Sequence, residues 1–450
     1  MDQQQHILYD EVVVNGKETA FTLSPDGILR WHDHSNVLRC LSVDREVLGV
    51  SIAKHQILIR SYVETDGSCV SSCAGGLVRK TFVFQASSDD SARNMCDKIQ
   101  GYIDSLGIII SVYEWYWLFM SCRPKRLFLF VNPFGGRKSA SKVFTDDVKP
   151  ILEDANIEYT LQGLCLLNVY LLSMHTLFCF SFGLFVTSET KYQLHAKEVA
   201  HDLDLTKYDG ILCVSGDGIL VEVVNGLLER KDWQVALKIP IGVIPAGTGN
   251  GMIKSLLDSA GQPCTAAYAM LSVIQGHKRS LDVATIWQGQ SRFFSVLMLA
   301  WGLIADIDIE SEQYRWMGSA RMDLYGLQRI LSLRKYNGCI SFVPAPGFED
   351  AGEPTSASVE PLTTQHHGYQ GPKLDLGTLS WRKLNGPFIG IWLQNVAWGS
   401  ENAMAAPNAK VSYFFSFLSV LLYMYANKMD MWLLIHTLLL CLIGHFDNLT

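Results

Sequence analysis

Two apolar runs that end in glycine-rich turns constrain this chain more than any other feature. Gly210-Ile211-Leu212-Cys213 runs into Val214-Ser215-Gly216-Asp217-Gly218, and Ile239-Pro240-Ile241-Gly242-Val243-Ile244 runs into Pro245-Ala246-Gly247-Thr248-Gly249-Asn250. An earlier unit has the same form: Leu127-Phe128-Leu129-Phe130-Val131, then Asn132-Pro133-Phe134-Gly135-Gly136-Arg137-Lys138. Each reads as a strand ending in a turn whose backbone N–H groups can face an anion without Cβ interference. From Arg123 to about Gly276 such strands alternate with helical patterns, which predicts an α/β layer with a Rossmann-like arrangement.

The rest of the chain divides around that layer. Residues 1–107 carry short alternating runs such as Glu11-Val12-Val13-Val14-Asn15, separated by Asn15-Gly16, Asp26-Gly27 and Asp66-Gly67. They predict antiparallel strands. Ser87 to Ser105 predicts a helix with Ala92, Met95, Ile99 and Ile103 on one face. Residues 277–410 return to β-rich runs, read as a β-sandwich domain, with a Pro/Gly/Ser/Thr/Glu-rich surface loop at 347–377. A net charge of −7 leaves no basic excess for nucleic acid. Eleven cysteines without a CxxC pair read as free thiols of a reducing cytosol, not as a zinc site. The N-terminus has no basic stretch leading into an apolar one, so no secretory signal is expected.

Three apolar segments break the rhythm: 108–122, 163–188 and 411–450. The second has no Asp, Glu, Lys or Arg in 26 residues, long enough by hydropathy to span a bilayer. A single crossing there would put Asn132 and Asp217 on opposite sides, which one shared phosphate site forbids. Removing 108–122 and 163–188 joins the flanking text smoothly. Uncharged Phe/Leu/Tyr/Ser/Cys-rich sequence is also what thymine-rich non-coding DNA yields on translation. The three segments are therefore read as foreign to the fold. The three loops, with one carboxylate on a glycine hinge, point to phosphoryl transfer outside the P-loop type, with Asp217 as base.

Five ordered blocks carry a resemblance to the sphingosine (long-chain base) kinases, in particular their plant branch, within the diacylglycerol-kinase-like superfamily. They are Phe130-Val131-Asn132-Pro133-Phe134-Gly135-Gly136, Val214–Gly218, Glu222-Val223-Val224-Asn225-Gly226-Leu227, Pro245–Asn250, and Leu299–Glu312 around Trp301. The resemblance implies ATP with Mg²⁺, a sphingoid base as second substrate, and a cytoplasmic enzyme that works at a membrane surface. It implies nucleotide contacts from Asn132, Pro133, Phe134, from Thr190, Lys191, Tyr192, Gln193 and Leu194, from Glu222, from Gly247, Thr248 and Gly249, and from Arg315 and Arg321. Ser215, Gly216, Asp217 and Gly218 would flank the lipid head group, and Asp308 would pair with its ammonium, which ceramide and diacylglycerol lack. No dedicated metal ligands are implied.

Plainer readings stand beside these. Asp306 and Asp308 could be solvated carboxylates, Arg315 and Arg321 an exposed charged face, and the Trp301 block core and lipid pocket. After Lys410 the text leaves the family pattern, and the family's Asp-Gly-Glu block occurs nowhere in the 450 residues. Two alternatives follow: a ceramide or diacylglycerol kinase, and a non-catalytic product of the same family. A nicotinamide-nucleotide kinase would share the Gly-Asp-Gly loop but not the Leu299–Glu312 block.

Overall fold

The structure, a computed structural model, describes residues 6–64, 76–106, 123–133, 138–161, 194–318, 320–344, 347–356, 367–372, 376–407, 409 and 419–424. Seven antiparallel strands open the chain: β1 (Leu8–Val14), β2 (Lys17–Leu23), β3 (Ile28–His32), β4 (Leu38–Ser42), β5 (Val47–Ala53), β6 (Gln56–Glu64) and β7 (Leu77–Ala86). Their order is β4-β3-β2-β1-β7-β6-β5. Asn15 and Gly16 both have positive φ (51° and 84°) and join Val14 to its partner Lys17 in a two-residue hairpin turn. The alternation buries Val12, Val14, Phe21 and Leu23. Helix α1 (Asp89–Ser105) starts at Ser88, whose side chain accepts the Ser91 N–H, and carries Asp89 and Asp90 in its first turn. Its apolar stripe buries Ala92, Met95, Ile99 and Ile103 against the sheet, as its periodicity predicts. Each of the three larger side chains contributes roughly 1.5–3 kcal/mol.

The second unit is the α/β layer. It contains β8 (Arg126–Val131), α2 (Ala140–Val143), α3 (Lys149–Asp154), β9 (Glu158–Leu161), α4 (His195–Asp202), β10 (Gly210–Ser215), α5 (Asp217–Glu229), α6 (Trp233–Ala236), β11 (Ile241–Pro245), α7 (Gly251–Asp258) and α8 (Ala266–Ile274). Its four described strands are parallel in the order β11-β10-β8-β9. Every residue of β10 is buried, as a strand covered on both faces should be. The register pairs Val214 with Val131 and Ser215 with Pro245, so the carboxyl ends of β8, β10 and β11 lie side by side. That is where open parallel sheets place ligands.

The third unit holds β12 (Ala284–Gln288), β13 (Ser291–Ser295), β14 (Met298–Gly302), α9 (Leu303–Ser311), α10 (Ala320–Leu331), β15 (Cys339–Phe342), β16 (Glu353–Pro354), β17 (Arg382–Asn385), β18 (Phe388–Gln394), β19 (Trp398–Ser400), β20 (Ala403–Met404) and β21 (Ser419–Met424). The described strands form small sheets: β12-β13, β14-β18-β21, β15-β17-β16 and β19-β20. Segments 108–122 and 163–188 lie outside the described residues. So does the apolar tail apart from β21, whose backbone pairs antiparallel with β18 from Gln394↔Ser419 to Phe388↔Met424. Among the described residues no helix is long and apolar enough to cross a membrane.

Candidate active site

Asp217 is the first residue of α5, directly after the buried end of β10, and its carboxylate crosses to the start of α7. Oδ2 accepts the Gly251 N–H at 2.9 Å and Oδ1 accepts the Met252 N–H at 3.0 Å. The group therefore faces the positive ends of two helices. Burial pushes its carboxyl above the ordinary value, and the two amides pull it part of the way back.

The glycines explain how the loops come this close. A Cβ on Gly247 would stand 2.2 Å from the Gly216 Cα, and one on Gly249 would stand 3.0 Å from Asp217 Oδ2. The second and third loops thus touch backbone to backbone, which only glycine permits. Asn250, buried and left-handed at φ 56°, fixes the third loop. Its Oδ1 accepts the Gly247 N–H at 2.9 Å, while its Nδ2 donates to the Gly247 carbonyl and to Glu401, each at 3.2 Å. The first loop joins through Asn132, whose N–H donates to the Val214 carbonyl at 3.3 Å. Ser139 Oγ, on the far side of that loop, donates to the Ala246 carbonyl, also at 3.3 Å. Pro133 follows Asn132 at the strand end. Phe134 and Thr190 to Gln193 lie outside the described residues.

The Glu222-Val-Val-Asn-Gly block does three structural jobs along α5. Leu194, half exposed and left-handed at φ 71°, precedes α4 without a side-chain cap of its own. The Glu222 carboxylate supplies the missing acceptor: it takes the Ala196 N–H at 3.2 Å, with further bonds from the Leu194 and Lys197 amides. Burial raises this carboxyl too, the amides opposing. Asn225 reaches β13, with Nδ2 donating to the Phe294 carbonyl at 2.8 Å and Oδ1 accepting the Phe294 N–H at 2.9 Å. At Gly226 a Cβ would lie 2.3 Å from the Lys197 carbonyl, so α4 and α5 pack at backbone distance. The family resemblance implies a nucleotide contact for Glu222. Here its carboxylate orients α4, the helix that follows Thr190–Leu194.

The β-rich half closes one side. Trp398 donates its backbone N–H to Ser255 Oγ at 3.0 Å and its indole N–H to Asp258 at 3.1 Å, and the Glu401 N–H donates to the Gly249 carbonyl. Asp308 stands on α9 with 65% of its side-chain surface open. Arg321, on α10 and almost buried, has Nη2 at 2.7 Å from Glu312 and 3.8 Å from Asp308, while its Nη1 has no hydrogen-bond partner among the described residues. Arg315 lies in the 3₁₀ segment Glu312–Met317 that joins these helices. Asp306 is not a solvated carboxylate. It accepts from Arg329 at 2.7 Å, from Arg334 at 3.3 Å and from the Tyr336 hydroxyl. Its i, i+4 spacing from Glu310, which also binds Arg334, is the signal that could have found this clamp. Trp301 packs on Tyr336 and Phe388 but stays 40% exposed, part core and part open wall.

Comparison with known proteins places the chain in a family. The diacylglycerol kinase catalytic domain model matches residues 177–286, a stretch holding the second and third loops and the Glu222 block. Sphingosine kinase 2 of Arabidopsis thaliana is 52% identical over 406 residues, covering 89% of this chain and 75% of that protein. The chain belongs to the sphingosine kinase family. Sphingosine kinase 1 of the same plant is 49% identical over 410 residues, covering 90% of this chain and 76% of that protein. Human ceramide kinase, at 30% identity, is matched over half of this chain and 39% of its own length. Residues 123–450 make up less than three quarters of the chain, so the kinship with the plant sphingosine kinases extends into the N-terminal sheet.

Proposed function

We propose that this chain, a lipid kinase by family, transfers the γ-phosphoryl group of ATP to the primary hydroxyl of a sphingoid base. The observation that carries the reading is the position of Asp217, half-buried where two glycine loops touch and between two helix N-termini. Asp217 takes the hydroxyl proton, the oxygen forms its bond to the γ-phosphorus, and the bond from that phosphorus to the β,γ-bridging oxygen breaks to release ADP. Asn132, Pro133 and Phe134, the Thr190–Leu194 segment, and Gly247, Thr248 and Gly249 line the triphosphate. Glu222 serves that site by orienting α4. Arg315 and Arg321 supply positive charge, Arg321 through the donor it leaves unpaired. Mg²⁺ would arrive as an ion carried by the triphosphate.

Ser215 to Gly218 flank the lipid hydroxyl, and Asp308 reads the ammonium. Its open carboxylate suits a cation arriving from solvent, and a neutral lipid gives it no partner. The β-rich half, read as a β-sandwich, forms the lipid domain. Beside Asp308 the surface exposes Ile309, Trp316, Leu324, Leu327 and Leu331, with Trp316 and Leu331 above 80% exposure. So large an apolar face next to a lipid-reading carboxylate fits peripheral contact with a membrane in the cytoplasm. The test is transfer of radiolabelled γ-phosphate by the purified chain to sphingosine, ceramide and diacylglycerol in mixed micelles. Sphingosine is expected to be labelled, and Asp308→Asn to lose that preference. Preferential labelling of ceramide or diacylglycerol overturns the substrate assignment, and no labelling at all supports a non-catalytic product.

A further inference from the structure

The helical run that begins at Ser139 ends on a buried charge that, among the described residues, only the N-terminal sheet neutralises. Ser139, tied to Ala246, begins the run; α2, a π-helical turn (Phe144–Val148) and α3 continue it without a break to Asp154. A π turn inside a helix is uncommon and often accompanies a functional site. The Asp154 side chain is 5% exposed and sits at a helix C-terminus, where the macrodipole disfavours an anion. Both of its cationic partners come from the other domain. Arg79 of β7 grips it bidentately, Nη2 to Oδ1 at 2.8 Å and Nε to Oδ2 at 2.5 Å, and Arg60 of β6 adds Nε to Oδ1 at 3.2 Å.

The backbone comes equally close at this joint. A Cβ on Gly49 of β5 would stand 2.2 Å from the Asp154 carbonyl oxygen. A second tie lies nearby, where the Arg123 guanidinium donates to the carbonyls of Val43, Val47 and Leu48. Burial lowers the pKa of Arg123 to about 10. Leu48 is itself part of the core of the α/β layer, and Tyr62 and Leu77 pack against that core.

We propose that Asp154 is a positioning residue for the nucleotide, acting through the helical run that begins at Ser139, which is tied to the third glycine loop at Ala246. The N-terminal sheet is then a fixed anchor for the far end of that run and not a detachable module. The proposal rests on the reading of that loop as nucleotide-binding. Freed from the arginines, the far end of the run shifts, and the loop moves with it. A displacement near 1 Å at a reacting group can cost about a hundredfold.

The test uses the full chain with Arg79→Gln, Arg79→Lys and Asp154→Asn. Asp154→Asn removes the buried charge, so it loosens the grip without leaving an unpaired anion should Arg79→Gln fail to fold. The readouts are the Kd of a fluorescent ATP analogue, the KM for ATP, the KM for sphingosine and the melting temperature. Arg79→Gln and Asp154→Asn are expected to weaken ATP at least about tenfold with the KM for sphingosine unchanged, and Arg79→Lys to recover part of the loss. A merely structural joint would lower the melting temperature and the active fraction but leave both KM values in place, and that result overturns the proposal. A wild-type chain that binds no ATP analogue overturns the nucleotide-site reading itself, and this proposal with it.

Discussion

Asp217→Asn separates chemistry from architecture. The carboxylate accepts two amide N–H groups, from Gly251 at 2.9 Å and from Met252 at 3.0 Å. Asparagine keeps one acceptor oxygen and turns an NH₂ group toward the other amide. One buried donor is left facing a donor, a loss of about 1–3 kcal/mol. Against this, the native carboxyl is raised by burial, so the folded state holds its proton more tightly than the unfolded chain does. The native group therefore favours folding at acid pH and costs stability once the pH passes its raised value. Each tenfold gain in proton affinity on folding is worth about 1.4 kcal/mol. Asparagine removes that cost. The two effects oppose each other, and the variant is expected to stay folded at neutral pH within about 2 kcal/mol of the parent. Catalysis has no such compensation. Loss of a general base lowers kcat by about 10²–10⁴, or roughly 2.7–5.4 kcal/mol of barrier. The assay is phosphoryl transfer to sphingosine at saturating ATP, alongside thermal unfolding and binding of an ATP analogue. A folded variant that binds ATP and keeps kcat within tenfold of the parent refutes the role given to Asp217.

Three further outcomes follow from the same geometry. In the pH profile of kcat/KM, the acid limb should reflect the raised Asp217 carboxyl and fall away above the ordinary value of 3.8; an acid limb at or below that value contradicts the burial argument. Glu222→Ala strips the acceptor from the first turn of α4 and should destabilise the chain by about 1 kcal/mol in chemical denaturation, as loss of a helix cap does, with Glu222→Gln recovering part of it. Gly247→Ala forces a methyl to within 2.2 Å of the Gly216 backbone, so the two loops must part and ATP affinity should collapse; an alanine variant with parental ATP affinity shows that the loops need not touch.

The fold was legible where one period dominated the sequence. The α1 stripe and the Asn15-Gly16 hairpin follow from spacing and turn chemistry alone, because nothing in the tertiary structure competes with them. The second and third loops were legible for a related reason: glycine after an apolar run marks a place where backbone must approach something closely. The sequence could not show what approaches. Gly247 and Gly249 are required first by Gly216 and Asp217, that is, by other parts of the protein, before any phosphate is considered. Glu222 teaches the same point. Motif membership placed it at the nucleotide, yet its carboxylate is spent on the amides of a helix more than twenty residues earlier, a pairing invisible without the fold.

The same logic separates Asp306 from Asp308, two residues apart on one helix and indistinguishable by composition. Asp306 is held by two arginines and a tyrosine, so its charge is already answered from within the chain. Among the described residues Asp308 has one loose partner, Arg321 at 3.8 Å, and that arginine has its nearer contact with Glu312. A cation offered by a ligand would have to break a tight clamp at Asp306. At Asp308 it meets a carboxylate whose nearest guanidinium already has another anion to hold. In the proposed function, selection of an ammonium-bearing lipid therefore falls to Asp308, the carboxylate left incompletely paired among the described residues.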